Sequence, residues 1–277
     1  MTSVRPTSLR QVTIGVTAAS LLACYAPTLR GMFDQWSNDE DMSHGFAVPV
    51  VALWIVWRER ARWQSLPAQP SLWGLAVLAA GAALQTVAAF GGGLFAASLA
   101  FLLSVAGAVL FLGGFAFLRA WSLPLLLAVF MLPKLAIVYS QVTFPLQILA
   151  SRIAASMLWI AGIAVTREGN ILDVAGHRVS VQEACNGIRY LLSLGFIAVV
   201  LAYLADPKPW MRFALLLVVA PIAIFANALR VAVSGLVPAL DSGAPHAAAG
   251  AAVFVVSVAL LVAIRHLFHT IYSRYHA

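Results

Sequence analysis

This sequence of 277 residues has little charge, few cysteines and no low-complexity tract. Only 10% of its residues are charged and 62% are hydrophobic, which excludes a disordered chain and an ordinary soluble globular domain. Its two cysteines, Cys24 and Cys185, are too few for a disulfide framework or a cysteine-based metal site. No repeat of fixed period and no long linker divides the chain. We therefore expect one integral-membrane domain over residues 1–277.

The hydrophobic runs are long enough to cross a membrane, since a spanning helix needs about 20 predominantly apolar residues. We predict an all-α fold, a polytopic transmembrane helical bundle of about eight spans. The predicted helices cover 11–29, 44–57, 71–90, 94–117, 121–138, 187–205, 211–236 and 249–268. A further apolar run at 141–164 contains several polar residues, and we predict an amphipathic helix on the outer face there. The alternative is a full span at 141–164, with one neighbouring helix miscounted.

The net charge of +7 comes from basic residues in short loops and tails, so it indicates membrane orientation and not nucleic-acid binding. Basic residues mark the N-terminus, "RERAR" at 58–62, "DPKPWMR" at 206–212 and the C-terminal tail. This side, with both termini, is predicted to be cytoplasmic. The acidic loop at 34–44 and the polar segment at 165–183 then face outward. Turn-like "EGN" and "AGH" and the alternating "HRVSV" predict a small outer hairpin over 165–183.

The segment "EACNGIR" at 183–189 places a cysteine, an acid and an arginine at the start of a membrane-length apolar run. Cys185 lies at the predicted outer end of a helix, where the positive end of the helix dipole favours a thiolate. Arg189 follows by four residues on the same helical face and adds positive charge. Glu183 opposes this effect unless it pairs with Arg178 or Arg189. The alternative is a buried, unreactive cysteine.

A second polar group lies in "FANALRVAVSG" at 225–235. Arg230 falls inside an apolar run, and an intramembrane arginine is costly enough to be a functional candidate by default. Asn227 and Ser234 share its helical face. His246 lies in the last outward loop, where it could act as a general base; His44 is another outward histidine. The alternatives are an arginine that extends to the membrane surface and a solvated loop histidine.

Cys185, Arg230 and His246 thus come from three separate segments on one predicted membrane face. A thiol nucleophile, a cation for an oxyanion and a base are the groups that acyl transfer needs. No cluster of metal ligands is evident, so we expect no metal and no organic cofactor.

Together, "EACNGIR", "NALRV" and a histidine before the last helix resemble the exosortase/archaeosortase family of membrane transpeptidases. "DMSHGFAVPVVALWIVWRER" and "AVTREGN" also resemble that family, so the resemblance covers about residues 34–268. It implies that Cys185, Arg230 and His246 are catalytic. The usual motif often has serine where this chain has Asn186, a mild departure that leaves the nucleophile in place.

The resemblance further implies a bacterial inner-membrane protein with its active site at the periplasmic face. Its substrates would be exported proteins with a C-terminal sorting signal of the PEP-CTERM type: a short motif, a transmembrane helix and a basic tail. The expected partners are these proteins and membrane lipid, and no nucleic acid. We assign binding or supporting roles to five other residues: Glu183, Asn186, Arg189, Asn227 and His44.

Three other functions fit parts of the sequence. A transporter or channel could use Arg230 as an intramembrane ligand, although no inverted repeat or pair of broken helices is evident. A rhomboid-like serine protease could use Ser234 with His246, but "AVSGL" lacks the first glycine of a GxSG pattern. The "LLAC" at 21–24 fits a lipobox, yet a polytopic body follows Cys24, so we expect this cysteine to pack within the first helix.

Overall fold

The computed structural model describes residues 6–181, 187–205, 208–240 and 243–275. These residues are mostly helical, and their contacts divide the chain into two compact units, Met1–Leu135 and Ala136–Ala277. In the described residues, four helical runs are long and apolar enough to cross a membrane, or five if a bent pair counts as one span. The prediction of a helical membrane protein is therefore supported. The number of eight spans is not confirmed.

The first unit begins with a bent pair of helices where the sequence predicted one helix over 11–29. Helix α1 (Pro6–Cys24) and helix α2 (Ala26–Asn38) meet at an angle of 64°. A proline at the start of α2 explains the break, because proline is favoured in the first turn of a helix and disfavoured in its interior. The predicted acidic loop at 34–44 is also wrong in part. Its first residues complete α2, and a 3₁₀ helix (Glu40–Phe46) follows.

The next segment contains α3 (Ala47–Arg58), α4 (Arg60–Gln64) and a helical hairpin. The hairpin consists of α5 (Trp73–Val87), a π-helical turn (Ala88–Gly92) and α6 (Gly93–Gly113). Gly91 and Gly93, with φ of 125° and 72°, allow the chain to reverse. A Cβ on Gly74 would collide with the backbone nitrogen of Phe111, so the two backbones pack too closely for any larger residue.

The first unit ends with α7 (Phe115–Ala120), α8 (Ser122–Ala128) and a 3₁₀ turn (Val129–Met131). The predicted helix over 121–138 is therefore wrong beyond residue 131. Leu132 is extended, with φ −64° and ψ 139°. Pro133 follows it, and a proline disfavours the α conformation in the residue before it. Residues 122–131 form a short apolar helix below spanning length.

The second unit begins with α9 (Ala136–Ile160), which replaces the outer-face helix predicted at 141–164. By length and composition α9 is one of the four runs that could cross a membrane. Of its polar residues, Thr143, Gln147 and Ser151 are buried, whereas Gln141, Arg152 and Ser156 are exposed. Placement on the outer face stays a prediction.

A three-stranded antiparallel sheet follows α9, where the sequence predicted a hairpin. Strands β1 (Val165–Glu168), β2 (Ile171–Val174) and β3 (His177–Ser180) pair in chain order. One face is buried, and it packs in a cluster with residues of α9 and of a later helix, Pro209–Leu236. The sheet therefore anchors the segment that leads toward residue 185. Its outer location stays a prediction.

The last three helices form the core of the second unit. They are α10 (Ile188–Ala205), α11 (Pro209–Leu236) and α12 (Gly243–Tyr275), with a 3₁₀ turn (Pro238–Leu240) before α12. Buried leucine, isoleucine, valine and alanine side chains join all three helices around Tyr190. Helix α11 lies between the sheet and α12, so it contacts every element that carries a candidate site residue of this unit.

Candidate functional site

The candidate site is built on the last turns of α11. Asn227, Arg230 and Ser234 are 1%, 4% and 5% exposed, so all three side chains point into the protein. Their spacing of three and four residues places them on one helical face. A buried arginine loses its hydration and needs polar partners inside the protein. The interior position excludes the alternative that Arg230 extends to the membrane surface.

Arg230 contacts His246, which lies in the first turn of α12. The guanidinium Nη2 is hydrogen-bonded to the imidazole Nε2. The imidazole Nδ1 lies 2.8 Å from the carbonyl oxygen of Leu240. A carbonyl oxygen only accepts, so Nδ1 carries the proton and Nε2 presents its lone pair to the guanidinium. The structure thus brings together two of the three residues proposed as catalytic.

Neighbouring groups hold this pair in position. The Ser234 hydroxyl donates to the same Leu240 carbonyl at 3.4 Å. Gly250, one turn after His246, packs so closely on the guanidinium that a Cβ there would lie 3.3 Å from Cζ and Nη2 of Arg230. The Tyr190 hydroxyl donates to the Gly250 carbonyl at 3.2 Å, which ties α12 to α10. These contacts leave little freedom for the guanidinium.

One nitrogen of Arg230 is available for a further interaction. Its Nε is buried and has no hydrogen-bond partner among the described residues. A buried donor without a partner costs about 1–3 kcal/mol, and such a cost is tolerated most readily at a binding or reaction site.

The proposed nucleophile, Cys185, lies outside the described residues, and so do Glu183 and Asn186. The structure describes the residues on both sides of this segment, up to Val181 and from Gly187. Val181 is buried in the cluster that includes Val231 of α11. Gly187, with φ of 83°, packs on Asn227: a Cβ there would lie 3.2 Å from the Asn227 Cβ and Cγ. Both flanks therefore rest on the part of α11 that carries Arg230.

The remaining candidate residues are placed as follows. Arg189 is half-buried in the first turn of α10, two residues after Gly187. Cys24 is the last residue of α1, which agrees with its predicted place in the first helix, and it is an exposed free cysteine. His177 and Arg178 lie in β3, and the Arg178 guanidinium is 3.7 Å from Asp173.

His44 belongs to the first unit, where it joins two segments of the chain. Its Nδ1 lies 3.1 Å from the Asp41 carbonyl oxygen, and its Nε2 lies 3.0 Å from the Phe130 carbonyl oxygen. Burial lowers the pKa of His44; the two carbonyl contacts and the nearby Asp41 carboxylate act in the opposite direction. A neutral imidazole can donate to only one of these carbonyls.

An ion-pair cluster reinforces the same junction. Lys134 lies 2.7 Å from an oxygen of Asp39 and 2.8 Å from an oxygen of Asp41. The Trp36 indole donates to the Met131 carbonyl at 3.1 Å. These contacts give His44 and the acidic residues a role in holding the 3₁₀ helix at 40–46 against the turn at 129–131. Substrate binding by His44 stays a prediction.

Sequence reasoning missed several supporting groups. Gly250 could have been noticed, because it follows His246 by four residues and so shares its helical face. Gly187 lies in the quoted motif, but its positive φ depends on the packing of α10 on α11. The Leu240 carbonyl could not have been found, because every residue carries a backbone carbonyl and only the fold selects one.

The profile of the transmembrane exosortase family matches residues 36–263, which is well over half of the chain. This chain belongs to the transmembrane exosortase family. Membership indicates a membrane protease or transpeptidase, and the apolar helices agree with a multi-pass membrane protein. Neither a curated protein nor a solved structure gives a significant match to this exosortase family member.

Proposed function

We propose that this exosortase is a cysteine transpeptidase that cleaves a C-terminal sorting signal of exported proteins through an acyl-enzyme on Cys185. The substrate signal would be of the PEP-CTERM type, with a transmembrane helix and a basic tail. The released protein is transferred to a cell-surface acceptor. The site faces the periplasm, and the protein resides in the bacterial inner membrane.

The observation that supports this proposal best is the Arg230–His246 pair with both flanks of the Cys185 segment resting on α11. Consecutive Cα atoms are 3.80 Å apart across a trans peptide. The covalent chain therefore keeps residue 185 within about 7.6 Å of Gly187, which packs on Asn227 one turn before Arg230. A thiol, a guanidinium and an imidazole are the groups that acyl transfer requires.

The first half of the reaction forms a thioester. His246 takes the thiol proton on Nε2, and the Cys185 thiolate attacks the carbonyl carbon of the scissile amide. Protonation of Nε2 removes the lone pair that binds Arg230, so Nη2 is released to donate to the oxyanion. Collapse of the tetrahedral intermediate breaks the C–N bond, and the leaving amine takes the proton from Nε2.

The second half transfers the acyl group. An acceptor amine or hydroxyl attacks the thioester carbon while His246 removes its proton. The thiolate leaves and takes this proton back from Nε2, and His246 and Arg230 then restore their hydrogen bond. Throughout, the Leu240 carbonyl holds the Nδ1 proton and fixes the imidazole orientation, the task that a carboxylate performs in the serine protease triad.

The test is processing of a model substrate in membranes. Wild-type protein is co-expressed with a reporter that carries a PEP-CTERM-type tail, and cleavage is followed as a mass shift on a gel. Cys185→Ala and Arg230→Ala should both leave the precursor intact. Cys24→Ala and Arg152→Ala are matched controls, because both residues are exposed and neither contacts the site.

Two results bear directly on mechanism. A substrate fragment attached to Cys185 through a thioester, released by hydroxylamine, would identify the nucleophile. Normal processing by Cys185→Ala would overturn the acyl-enzyme mechanism. A transporter or channel that uses Arg230 as an intramembrane ligand would then become the better explanation.

A further inference from the structure

The first unit contains a large apolar cavity that the proposed reaction does not use. Its volume is about 510 Å³, within the range of about 300–1,000 Å³ typical of small-molecule sites. One face of α1 forms one wall, and α6 forms the opposite wall from Phe101 to Gly113. Trp63, Phe117 and Trp121 line one end. The lining is almost wholly apolar, so its ligand must present a hydrocarbon surface.

The two ends of the cavity differ. At the far end, the ring of Tyr25 packs on the lining residue Phe101, and its hydroxyl is hydrogen-bonded to Ser104 at 2.8 Å. The near end is lined by Trp63 and Trp121. From Phe101 to Gly113, α6 rises about 18 Å, close to half of the roughly 30 Å hydrocarbon thickness of a bilayer. The cavity therefore has the depth of one membrane leaflet.

The near end is basic, and its residue composition is typical of a membrane interface. Arg58 lies over the ring of Trp54, and Arg60 lies over the ring of Trp57, with the guanidinium carbon 4.4 Å from the ring centre. Both tryptophans are exposed. Tryptophan and arginine together are typical of the headgroup region. Arg62 and Arg119 precede the lining residues Trp63 and Trp121 by one and two positions, and both are exposed. Arg62 lies 3.6 Å from Glu59, but four arginines against this one acid leave a net positive charge that favours an anion.

A polar atom at this end also lacks a protein partner. The indole nitrogen of Trp121 is buried and has no hydrogen-bond acceptor among the described residues, whereas that of Trp63 donates to the Val56 carbonyl at 2.8 Å. An ester or phosphate oxygen at the cavity mouth would supply the missing acceptor.

We propose that the cavity between α1 and α6 binds one acyl chain of an anionic phospholipid, whose phosphate lies among Arg58, Arg62 and Arg119. The basic charge excludes the substrate's own tail as occupant, because a sorting signal that ends in basic residues would be repelled there. It also distinguishes the site from bulk lipid contact, which requires no charge at the headgroup. Basic pockets between membrane helices bind anionic headgroups for the same reason.

The test uses full-length protein in phosphatidylcholine vesicles that contain a small fraction of phosphatidylglycerol with a diazirine near the end of one acyl chain. After irradiation, labelled peptides are mapped by mass spectrometry. We expect label on residues 13–22 and 101–113, saturating at one lipid per protein. Unlabelled phosphatidylglycerol should compete, and unlabelled phosphatidylcholine should not.

Three variants make the test specific. Ala18→Trp fills the cavity and should abolish the label, whereas Ala23→Trp adds the same bulk to the opposite face of α1 and should retain it. Replacing both exposed arginines, Arg62→Gln with Arg119→Gln, should weaken competition by phosphatidylglycerol about thirty-fold, or about five-fold for each charge. This double variant alters only surface side chains, so it also serves if Ala18→Trp does not fold.

Three results would overturn the proposal. Equal competition by the two phospholipids would show that no headgroup is recognised. Label distributed over all helices would indicate bulk lipid. Undiminished label in a folded Ala18→Trp protein would mean that the chain does not enter the cavity. Each result is independent of the proposed transpeptidase activity, because the assay contains no protein substrate.

Discussion

The substitution Gly250→Ala provides a sensitive test of the Arg230–His246 pair. Gly250 lies in the interior of α12, where alanine is favoured over glycine by about 0.5–1 kcal/mol. The added methyl group, however, would stand 3.3 Å from Cζ and Nη2 of Arg230. The helix gain and the close contact act in opposite directions on stability, so we expect a protein about as stable as the wild type and yet less active. A residue with a merely structural role would not separate these two properties.

The size of the loss follows from this contact. Carbon atoms pack best at about 3.5–4.0 Å, so the guanidinium must move by about 0.2–0.7 Å. The backbone of α12 gives little relief, because the Gly250 carbonyl accepts a hydrogen bond from the buried Tyr190. A 1 Å displacement of a positioning group costs about a hundredfold in rate. If the logarithm of the rate falls in proportion to this displacement, Gly250→Ala should lower kcat by about three- to twenty-five-fold.

The assay is the rate of tail cleavage in membranes, with thermal unfolding measured on the same preparation. Gly15→Ala is the matched control, because it adds a methyl group to a helical glycine with no atom within 4 Å. Suppose that Arg230→Ala is inactive while Gly250→Ala cleaves the tail at the wild-type rate. This result would refute the argument that the position of the guanidinium limits the reaction.

Three further predictions test other contacts. Gly187→Ala should lower the free energy of unfolding by about 1–2 kcal/mol, because a φ of 83° is strained for alanine. It should also impair cleavage, because the added methyl group meets Asn227. A stable, active variant would contradict this packing. Ser234→Ala should retain cleavage within about tenfold, since it removes one long hydrogen bond worth about 0.5–1.5 kcal/mol, whereas a rhomboid-like serine protease would lose all activity. Wild-type protein should lose stability as the pH falls below 6.5, because the folded pKa of His44 is lowered and the unfolded chain binds the proton first. His44→Gln should be less sensitive to pH over the same window, as measured by thermal unfolding, and an unchanged pH dependence would count against this role of burial.

Much of the helical architecture could be predicted from hydrophobic runs, because a run of that length is stable in a membrane only as a helix. Breaks in those runs were harder to predict. The helix over 121–138 ends early because Pro133 constrains Leu132, and the helix over 11–29 bends at Tyr25 before Pro27. Each proline is visible in the sequence. The sequence does not show whether the proline ends the helix or the apolar residues around it continue the helix.

The candidate site, like the fold, could be predicted only in part from the sequence. The face shared by Asn227, Arg230 and Ser234 follows from helical spacing, and their burial agrees with it. That His246 contacts Arg230 could not be derived, because the two residues are joined by a turn whose geometry no local pattern specifies. The predicted outward position of His44 suggested a binding or supporting role, and the structure shows contacts of His44 that hold its own unit together.

The sequence by itself determined that this protein is a helical membrane protein, because composition and apolar run length leave few other folds for such a chain. Local motifs predicted its family, which the family profile confirms, and they are the basis for proposing three reactive groups. Only the tertiary structure decided which backbone carbonyl orients His246, how closely Gly250 confines Arg230 and where an apolar cavity opens beside basic residues. Those features depend on helix packing between residues far apart in the chain, and packing is a property of surfaces that meet only after folding.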